Sequence, residues 1–180
     1  VSERGNQNLA ILVPEKDDYK LEKVTDYKLM RVAGPRWSPD NRSIVYSVTD
    51  NNGRSGLYLY NVSEKTNTPL FEGIFNSAYP AWSRDGRYII YTSDETRVYN
   101  LFAYSMEEKR RYQITHVLGG AFQPDISADS REIVFSRYNS RGFKIAVIEY
   151  NPEKWMKIPS PTIKPYWNEE EKSQESGVRS

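Results

Sequence analysis

One sequence cassette occurs three times in this chain of 180 residues, and it limits the fold more than any other feature. Each copy begins with proline, continues through a Ser-x-Asp triplet and an arginine, and ends in an apolar segment, at residues 35–47, 80–92 and 124–136. Pro35, Pro80 and Pro124 follow one another at intervals of 45 and then 44 residues. A fixed period of this size indicates one supersecondary unit used repeatedly, most often a propeller blade.

The second copy shows how one repeat divides into strands. Segments rich in β-branched and aromatic residues predict strands at 78–83, 88–92, 101–104 and 111–115. The intervening Asp85-Gly86 predicts a tight hairpin turn, because this pair tolerates positive φ. Pro80 has no amide proton, so we expect it at a strand start or an unpaired position. No segment shows sustained helical periodicity, and the sequence therefore predicts an all-β chain of four-stranded antiparallel blades.

The same pattern continues in the rest of the chain. The third and fourth strands are predicted at 57–60 and near 68–71 in the first repeat, and at 145–148 and 155–158 in the third. Two apolar segments at 9–13 and 19–24 predict the second half of a preceding blade. Propellers close with four to eight blades, so about three and a half blades predict part of a larger propeller. The predicted units are a half-blade at 1–29, blades at 30–74, 75–118 and 119–160, and a linker or tail at 161–180.

The cassette also carries a family resemblance. The pattern Pro-x-Trp-Ser-Pro-Asp-Gly-x-x-Ile-x-Tyr-x-Ser, followed by Leu-Tyr, resembles the repeat of TolB-like propellers over residues 30–160. Asn41 and Ser130 replace the turn glycine, and Ile126 replaces the tryptophan. Serine adopts positive φ less readily than asparagine, so we expect a different turn type in the third blade.

The resemblance implies a function of binding rather than catalysis. TolB-like propellers bind protein partners in bacterial envelope or exported proteins, which implies a protein or peptide partner and a periplasmic or extracellular location. Similar propellers precede the catalytic domain of prolyl-oligopeptidase-like serine hydrolases, and an accessory propeller of such an enzyme is the alternative. Fold alone does not decide between these functions.

Motifs for chemistry are missing from the sequence. There is no cysteine and one histidine, His116, and no Gly-x-Ser-x-Gly or Gly-rich phosphate-binding motif is present. The 25 basic and 24 acidic residues give no excess that would indicate nucleic-acid binding. No apolar run approaches the ~20 residues of a membrane helix. We therefore expect no catalytic site, no cofactor, no metal, no nucleic-acid partner and no membrane insertion by this segment.

Several conspicuous residues are expected to be structural. Aspartates at one turn position, and aromatic residues at equivalent strand positions, repeat once per blade, which favours turn formation and packing between blades. The segment 50–53 is expected to be a loop tip rather than a calcium loop, His116 a surface or inter-blade residue, and the charged run 107–111 a solvated turn. The repeated residues are Asp40, Asp85 and Asp129, Trp37 and Trp82, and Tyr46, Tyr91 and Phe135.

The functional candidates are residues that differ between repeats at one face of the propeller. The loops that enter each first strand and the loops between second and third strands should share this face, and such loops commonly carry binding. The candidate partner-binding residues are Arg31, Tyr79, Phe122, Gln123, Asp50, Arg54, Asp94, Arg97, Arg137 and Arg141. Because an incomplete propeller leaves blade faces uncovered, self-association through those faces is also expected.

Overall fold

The fold is a series of β-sheets whose consecutive strands pair antiparallel within each blade. The structure is a computed structural model that describes residues 2–3, 6–16, 18–71 and 75–159, so the predicted tail at 161–180 lies outside the described residues. The strands of the described residues, with one 3-10 helix at Pro152–Lys154, are β1 (Ser2–Glu3), β2 (Asn6–Gln7), β3 (Ala10–Glu15), β4 (Asp18–Lys23), β5 (Arg31–Trp37), β6 (Ser43–Thr49), β7 (Ser55–Asn61), β8 (Thr66–Pro69), β9 (Ser77–Trp82), β10 (Tyr88–Ser93), β11 (Asn100–Ser105), β12 (Arg110–Gln113), β13 (Ala121–Ile126), β14 (Glu132–Asn139), β15 (Gly142–Glu149) and β16 (Met156–Lys157).

Consecutive strands pair as antiparallel meanders, as the repeat predicts. Blade 1 consists of β5 to β8, blade 2 of β9 to β12, and blade 3 of β13 to β15. The hairpin β3–β4 precedes them as a separate two-stranded sheet. The first strands of successive blades contact one another, β5 with β9 and β9 with β13. First strands therefore lie innermost, in the arrangement of a propeller.

The prediction that residues 155–158 form the fourth strand of blade 3 is wrong. β16 instead pairs with the outermost strand of blade 2, with Lys157 opposite Tyr112 and Met156 opposite Gln113. Trp155 turns the chain back, because its buried ring lies 5.1 Å from Tyr88 and 5.3 Å from Tyr150 between blades 2 and 3. As a result, blade 3 has three strands among the described residues.

Two short strands at the beginning of the chain add to blade 1. β1 pairs with β2, and β2 runs parallel to β5 through Gln7 opposite Arg31. Two-residue strands are too short to show an alternation of apolar and polar residues, so the sequence does not predict them.

The turn between first and second strands has one geometry in all three blades. In each copy the serine Oγ donates a 2.6 Å hydrogen bond to the aspartate Oδ1, which confirms that these aspartates are turn residues. Asn41, Gly86 and Ser130 have φ of 59°, 71° and 59°. The expected different turn in blade 3 is therefore wrong. The backbone N–H groups of Arg131 and Glu132 donate to Ser127 Oγ and help hold Ser130 in this conformation.

The core consists of one apolar cluster at each joint between sheets. Tyr46, Tyr91 and Phe135 each contribute to a different cluster and are 0%, 0% and 4% exposed, which confirms their packing role. Trp82 also links blades, since its Nε1 donates to the carbonyl oxygen of Arg36 at 3.2 Å. Trp37 is 47% exposed, contrary to prediction. Trp82 donates to the first strand of the preceding blade, whereas the described residues before β5 include no such strand for Trp37.

The charged run 107–111 is not solvated throughout. Arg111 is 6% exposed and donates to Glu95 Oε1, and its guanidinium carbon lies 4.8 Å from the ring centre of Phe75. Burial raises the pKa of Glu95, although the Arg111 guanidinium opposes this rise. The prediction fails at Arg111 because β12 already begins at Arg110 and directs this side chain into the joint between blades 1 and 2.

Candidate partner-binding face

One face of the molecule collects the starts of the first strands and the loops between second and third strands. Ser77 lies opposite Ser93, and Ala121 lies opposite Arg137. Arg31, the first residue of β5, likewise lies opposite Thr49. Each first strand therefore begins where the adjacent second strand ends, and the two predicted sets of positions share a face. We call this surface the loop face.

Tyr79, Phe122 and Gln123 lie within strands β9 and β13, not in loops as predicted. Tyr79 and Gln123 directly precede the cassette proline and have positive φ, 55° and 53°, as Gly34 does at 58°. The pairing register of β9 and β13 shifts at these positions, which marks a β-bulge that leaves Pro80 unpaired, as expected. A bulge redirects the side chains beside it. Tyr79 is 46% exposed, and Gln123 is also exposed.

An exposed group of aromatic side chains extends across the loop face from blade 2 to blade 3. The ring of Phe122 lies 5.3 Å from that of Tyr99 and 5.8 Å from that of Phe143, and Phe143 lies 4.9 Å from Tyr138. Burial raises the pKa of Tyr99, and the nearby Asp94 carboxylate and Tyr79 phenol add to this rise. Ring contacts thus join Tyr99, Phe122, Tyr138 and Phe143, and we call these four residues, together with the exposed Tyr79 of β9, the aromatic patch.

The sequence analysis selected Tyr79 and Phe122 but missed Tyr99, Tyr138 and Phe143. The available signal was their position: each of the three lies at an end of a second or third strand, next to a polar loop. The structure brings them together across two blades, and such distances are not visible in one sequence.

Two glycines allow the segment before β13 to lie against the patch. A Cβ on Gly119 would come within 2.1 Å of the carbonyl oxygen of Tyr138, and one on Gly120 within 2.6 Å of the Phe122 ring. The Tyr138 N–H also donates to the carbonyl oxygen of Gly120 at 2.9 Å. The position of the Phe122 ring thus depends on this pair of glycines.

The acidic candidates organise the loops of this face. Asp50 Oδ1 accepts hydrogen bonds from the N–H groups of Asn52 and Arg54 at 2.9 and 2.8 Å, which confirms a loop tip. Asp94 accepts from the backbone N–H of Asn76 at 2.7 Å and from its Nδ2 at 2.8 Å. Both carboxylates are therefore engaged within the face, and they are poor candidates for direct partner contacts.

The basic candidates are distributed along the same face. Arg97, with φ of 66°, and Arg141 lie exposed in loops, whereas Arg31 and Arg137 lie exposed on strands β5 and β14. Arg137 lies opposite Lys144 in the ladder, one rung from the Tyr138–Phe143 pair and on the other side of the sheet. Arg54 is also exposed and lies 3.9 Å from Asp50. The loop face therefore carries exposed arginine side chains in addition to the aromatic patch.

Potential metal ligands are not grouped in the part of the chain that the structure describes, where no three His, Cys, Asp or Glu side chains could together hold a metal ion. His116 is exposed, with its Nδ1 3.3 Å from Gln113 Nε2. In the part of the chain that the structure describes, no helix has the length and apolar character needed to cross a membrane.

Known proteins share this repeat and this fold. A segment of 63 residues is 40% identical to the Tol-Pal system protein TolB of Alcanivorax borkumensis, and it covers 34% of this chain and 14% of that protein. A solved TolB-type protein from Agrobacterium tumefaciens superposes with a TM-score of 0.69 at 20% identity, over 86% of this chain and 57% of that chain.

A peptidase has a similar propeller. The puromycin-hydrolyzing peptidase of Mycobacterium tuberculosis superposes with a TM-score of 0.67 at 12% identity, over 87% of this chain and 25% of that chain. At such identities the two solved structures show the fold alone. This chain spans less than two thirds of the length of each of these relatives.

The family assignment rests on a match along most of the sequence. The profile of the TolB beta propeller domain matches residues 4–165, which include the hairpin β3–β4 and all three blades. This match confirms both the resemblance of the cassette and the all-β propeller segment expected from it. The chain belongs to the TolB beta propeller domain family.

Proposed function

We propose that this chain is a non-enzymatic propeller module that binds a protein partner through the aromatic patch of its loop face. The observation that carries the proposal is the exposure of this patch: Tyr79, Tyr99, Tyr138 and Phe143 are 46%, 38%, 44% and 65% exposed. Tyrosine and arginine are enriched among residues that dominate binding energy, and clustered exposed aromatics usually mark an interaction site.

The partner that the relatives favour is a protein of the bacterial envelope. The Alcanivorax protein belongs to the Tol-Pal system by name, and the resemblance of the cassette implies a periplasmic or extracellular location. We propose the same location here, and a partner among the other proteins of a Tol-Pal system. Exposed arginines on the same face as the patch, Arg31, Arg97 and Arg141, favour a partner segment that combines apolar with acidic side chains.

The direct experiment measures binding of this chain to the purified Tol-Pal proteins of Alcanivorax borkumensis by surface plasmon resonance. The test variant combines Tyr79→Asn with Tyr99→Ala, because asparagine tolerates the positive φ at position 79. If these tyrosines are central contacts worth about 2 kcal/mol or more, affinity should fall by at least about 30-fold.

A matched control comes from the opposite face. Trp37 is 47% exposed, almost the same as Tyr79, but it lies at the other end of its first strand. Trp37→Ala should leave the affinity unchanged within a factor of about two, since rim or distant residues contribute little. The proposal fails if none of the Tol-Pal proteins binds, or if Trp37→Ala weakens binding as much as the tyrosine variant.

An accessory role beside a hydrolase remains the alternative hypothesis. The fold match to the peptidase is compatible with it. That role predicts a Gly-x-Ser-x-Gly segment, with later Asp and His, in the same reading frame as this chain. Sequencing the gene on both sides of the region that encodes residues 1–180 tests this alternative without any binding measurement.

A further inference from the structure

Three buried polar atoms without partners lie together in the joint between blades 1 and 2. In the part of the chain that the structure describes, four buried side-chain nitrogen or oxygen atoms have no hydrogen-bond partner. Three of them, Tyr91 Oη, Glu95 Oε2 and Arg111 Nη2, belong to this joint, and the fourth, Tyr150 Oη, lies between blades 2 and 3. Buried polar groups are almost always hydrogen-bonded, so three unpaired atoms at one place require an explanation.

The three side chains are neighbours. Glu95 Oε1 accepts a hydrogen bond from Arg111 Nη1, while Oε2 of the same carboxylate and Nη2 of the same guanidinium have no partner among the described residues. Burial raises the pKa of the Tyr91 hydroxyl well above its ordinary value, and the Glu95 carboxylate adds to this rise while the Arg111 guanidinium opposes it. Both charged groups therefore lie near the Tyr91 phenol.

Aromatic rings close this place off from the solvent. The ring of Phe71 lies 5.2 Å from that of Tyr91 and 5.6 Å from the guanidinium carbon of Arg111, and the ring of Phe75 lies 4.8 Å from the same carbon. Tyr91 is 0% exposed and Arg111 is 6% exposed. Because bulk solvent does not reach the three atoms, each of them would carry the cost of desolvation if it stayed unpaired.

The other repeats show two ways in which the chain avoids this cost. The cassette places Tyr46, Tyr91 and Phe135 at one position of the three blades. In blade 1 the Tyr46 hydroxyl donates to Asn67 Oδ1 at 2.7 Å, and in blade 3 Phe135 has no hydroxyl group. Blade 2 keeps the hydroxyl, but the described residues supply no partner for it. A small bound molecule accounts for this difference between the repeats.

We propose that one water molecule is bound between Tyr91 Oη, Glu95 Oε2 and Arg111 Nη2. The guanidinium can only donate and the ionised carboxylate can only accept, so the bound molecule must both accept and donate. The positive charge of Arg111 disfavours a metal ion and the negative charge of Glu95 disfavours an anion, whereas water is neutral. Buried waters typically make about three hydrogen bonds, which matches the three atoms.

The bound water connects a segment of the loop face to the interior of blade 2. Glu95 lies between β10 and β11, in the segment that also carries Tyr99 of the aromatic patch. Tyr91 lies in β10 and Arg111 in β12. The water therefore holds the start of this segment against two strands of the same blade.

The sign of one stability change tests the proposal without any binding partner. Tyr91→Phe removes the hydroxyl group and keeps the ring. Because the variant loses a hydrogen bond to the water, its equilibrium constant for folding should fall by about 2- to 12-fold in urea denaturation. Tyr46→Phe is the matched control, since the Tyr46 hydroxyl has a protein partner, and its folding constant should fall by a similar factor. If the folding constant of Tyr91→Phe is unchanged or increases, the hydroxyl has no partner and the proposal is wrong.

A crystal structure of the chain locates the water directly. We expect one spherical peak of electron density at about 2.7 to 3.2 Å from each of the three atoms. A map that shows ordered waters elsewhere but no such peak in this joint would overturn the proposal. Density for a larger group, or for a protein side chain bonded to these atoms, would overturn it as well.

Discussion

At the scale of single residues, the conspicuous cassette positions build the fold and do not form a site. Asp40 and Asp129 sit in turns where hydrogen bonds from Ser38 and Ser127 lower the pKa of each carboxyl group. At Asp85, partial burial raises the pKa, but hydrogen bonds from Ser83 and Arg87 outweigh it and the net shift is downward. The sequence predicted this turn role because the three aspartates repeat at one position.

These lowered pKa values predict a loss of stability in acid. A carboxyl group whose pKa is lower in the folded state binds fewer protons there than in the unfolded state. Its contribution to the free energy of unfolding is therefore fully present above the unfolded pKa of about 3.9. It is lost as pH falls through the folded pKa. The urea midpoint should therefore decrease from pH 6 to pH 3, and the triple change of Asp40, Asp85 and Asp129 to Asn should make this decrease smaller. If the urea midpoint of the triple variant decreased between pH 6 and pH 3 as much as that of the wild type, the role of these aspartates in acid stability would be contradicted.

Close approach at one glycine gives a second residue-scale prediction. Gly120→Ala should destabilise the protein by about 1 to 3 kcal/mol, because the added methyl group overlaps the Phe122 ring and φ is 145°. Gly56→Ala is the control, since its Cβ would make only an ordinary 3.8 Å contact with Tyr58. Urea denaturation of both variants checks this, and equal effects would refute it.

At the scale of strands, local pattern explains what could be predicted and what could not. Strands β5 to β7 and β9 to β11 have enough alternating or apolar residues to be recognised, and so does β15. The partner of β16 was missed because two residues, Met156 and Lys157, can pair with any free edge. Burial of Trp155 beside Tyr88 decides which edge they use, and that contact joins distant parts of the chain.

The buried ion pair between blades 1 and 2 predicts strong coupling. Arg111→Met should destabilise the protein by about 3 kcal/mol or more, because it leaves Glu95 buried without a charged partner. Adding Glu95→Gln should restore part of the loss, so the double variant should be less destabilised than Arg111→Met alone. A double-mutant cycle in urea measures this coupling, and strict additivity would show that the pair is not coupled.

At the scale of the whole molecule, the repeat predicted the architecture but only part of the candidate site. Equivalent positions such as Tyr46, Tyr91 and Phe135 identify the joints, because each joint repeats the same packing. The aromatic patch does not repeat, and it depends on Tyr99 of blade 2 meeting Phe122 of blade 3. Only the three-dimensional arrangement brings these residues together.

Hydrogen–deuterium exchange tests most directly whether the loop face, rather than the cassette, binds the partner. Exchange is followed with and without a saturating Tol-Pal protein from the binding assay. We predict slower exchange on binding at residues 76–79, 94–99 and 118–123, with no change at the cassette turns 38–42 and 83–87 on the opposite face. Slower exchange at those turns, with the loop face unchanged, would contradict the account.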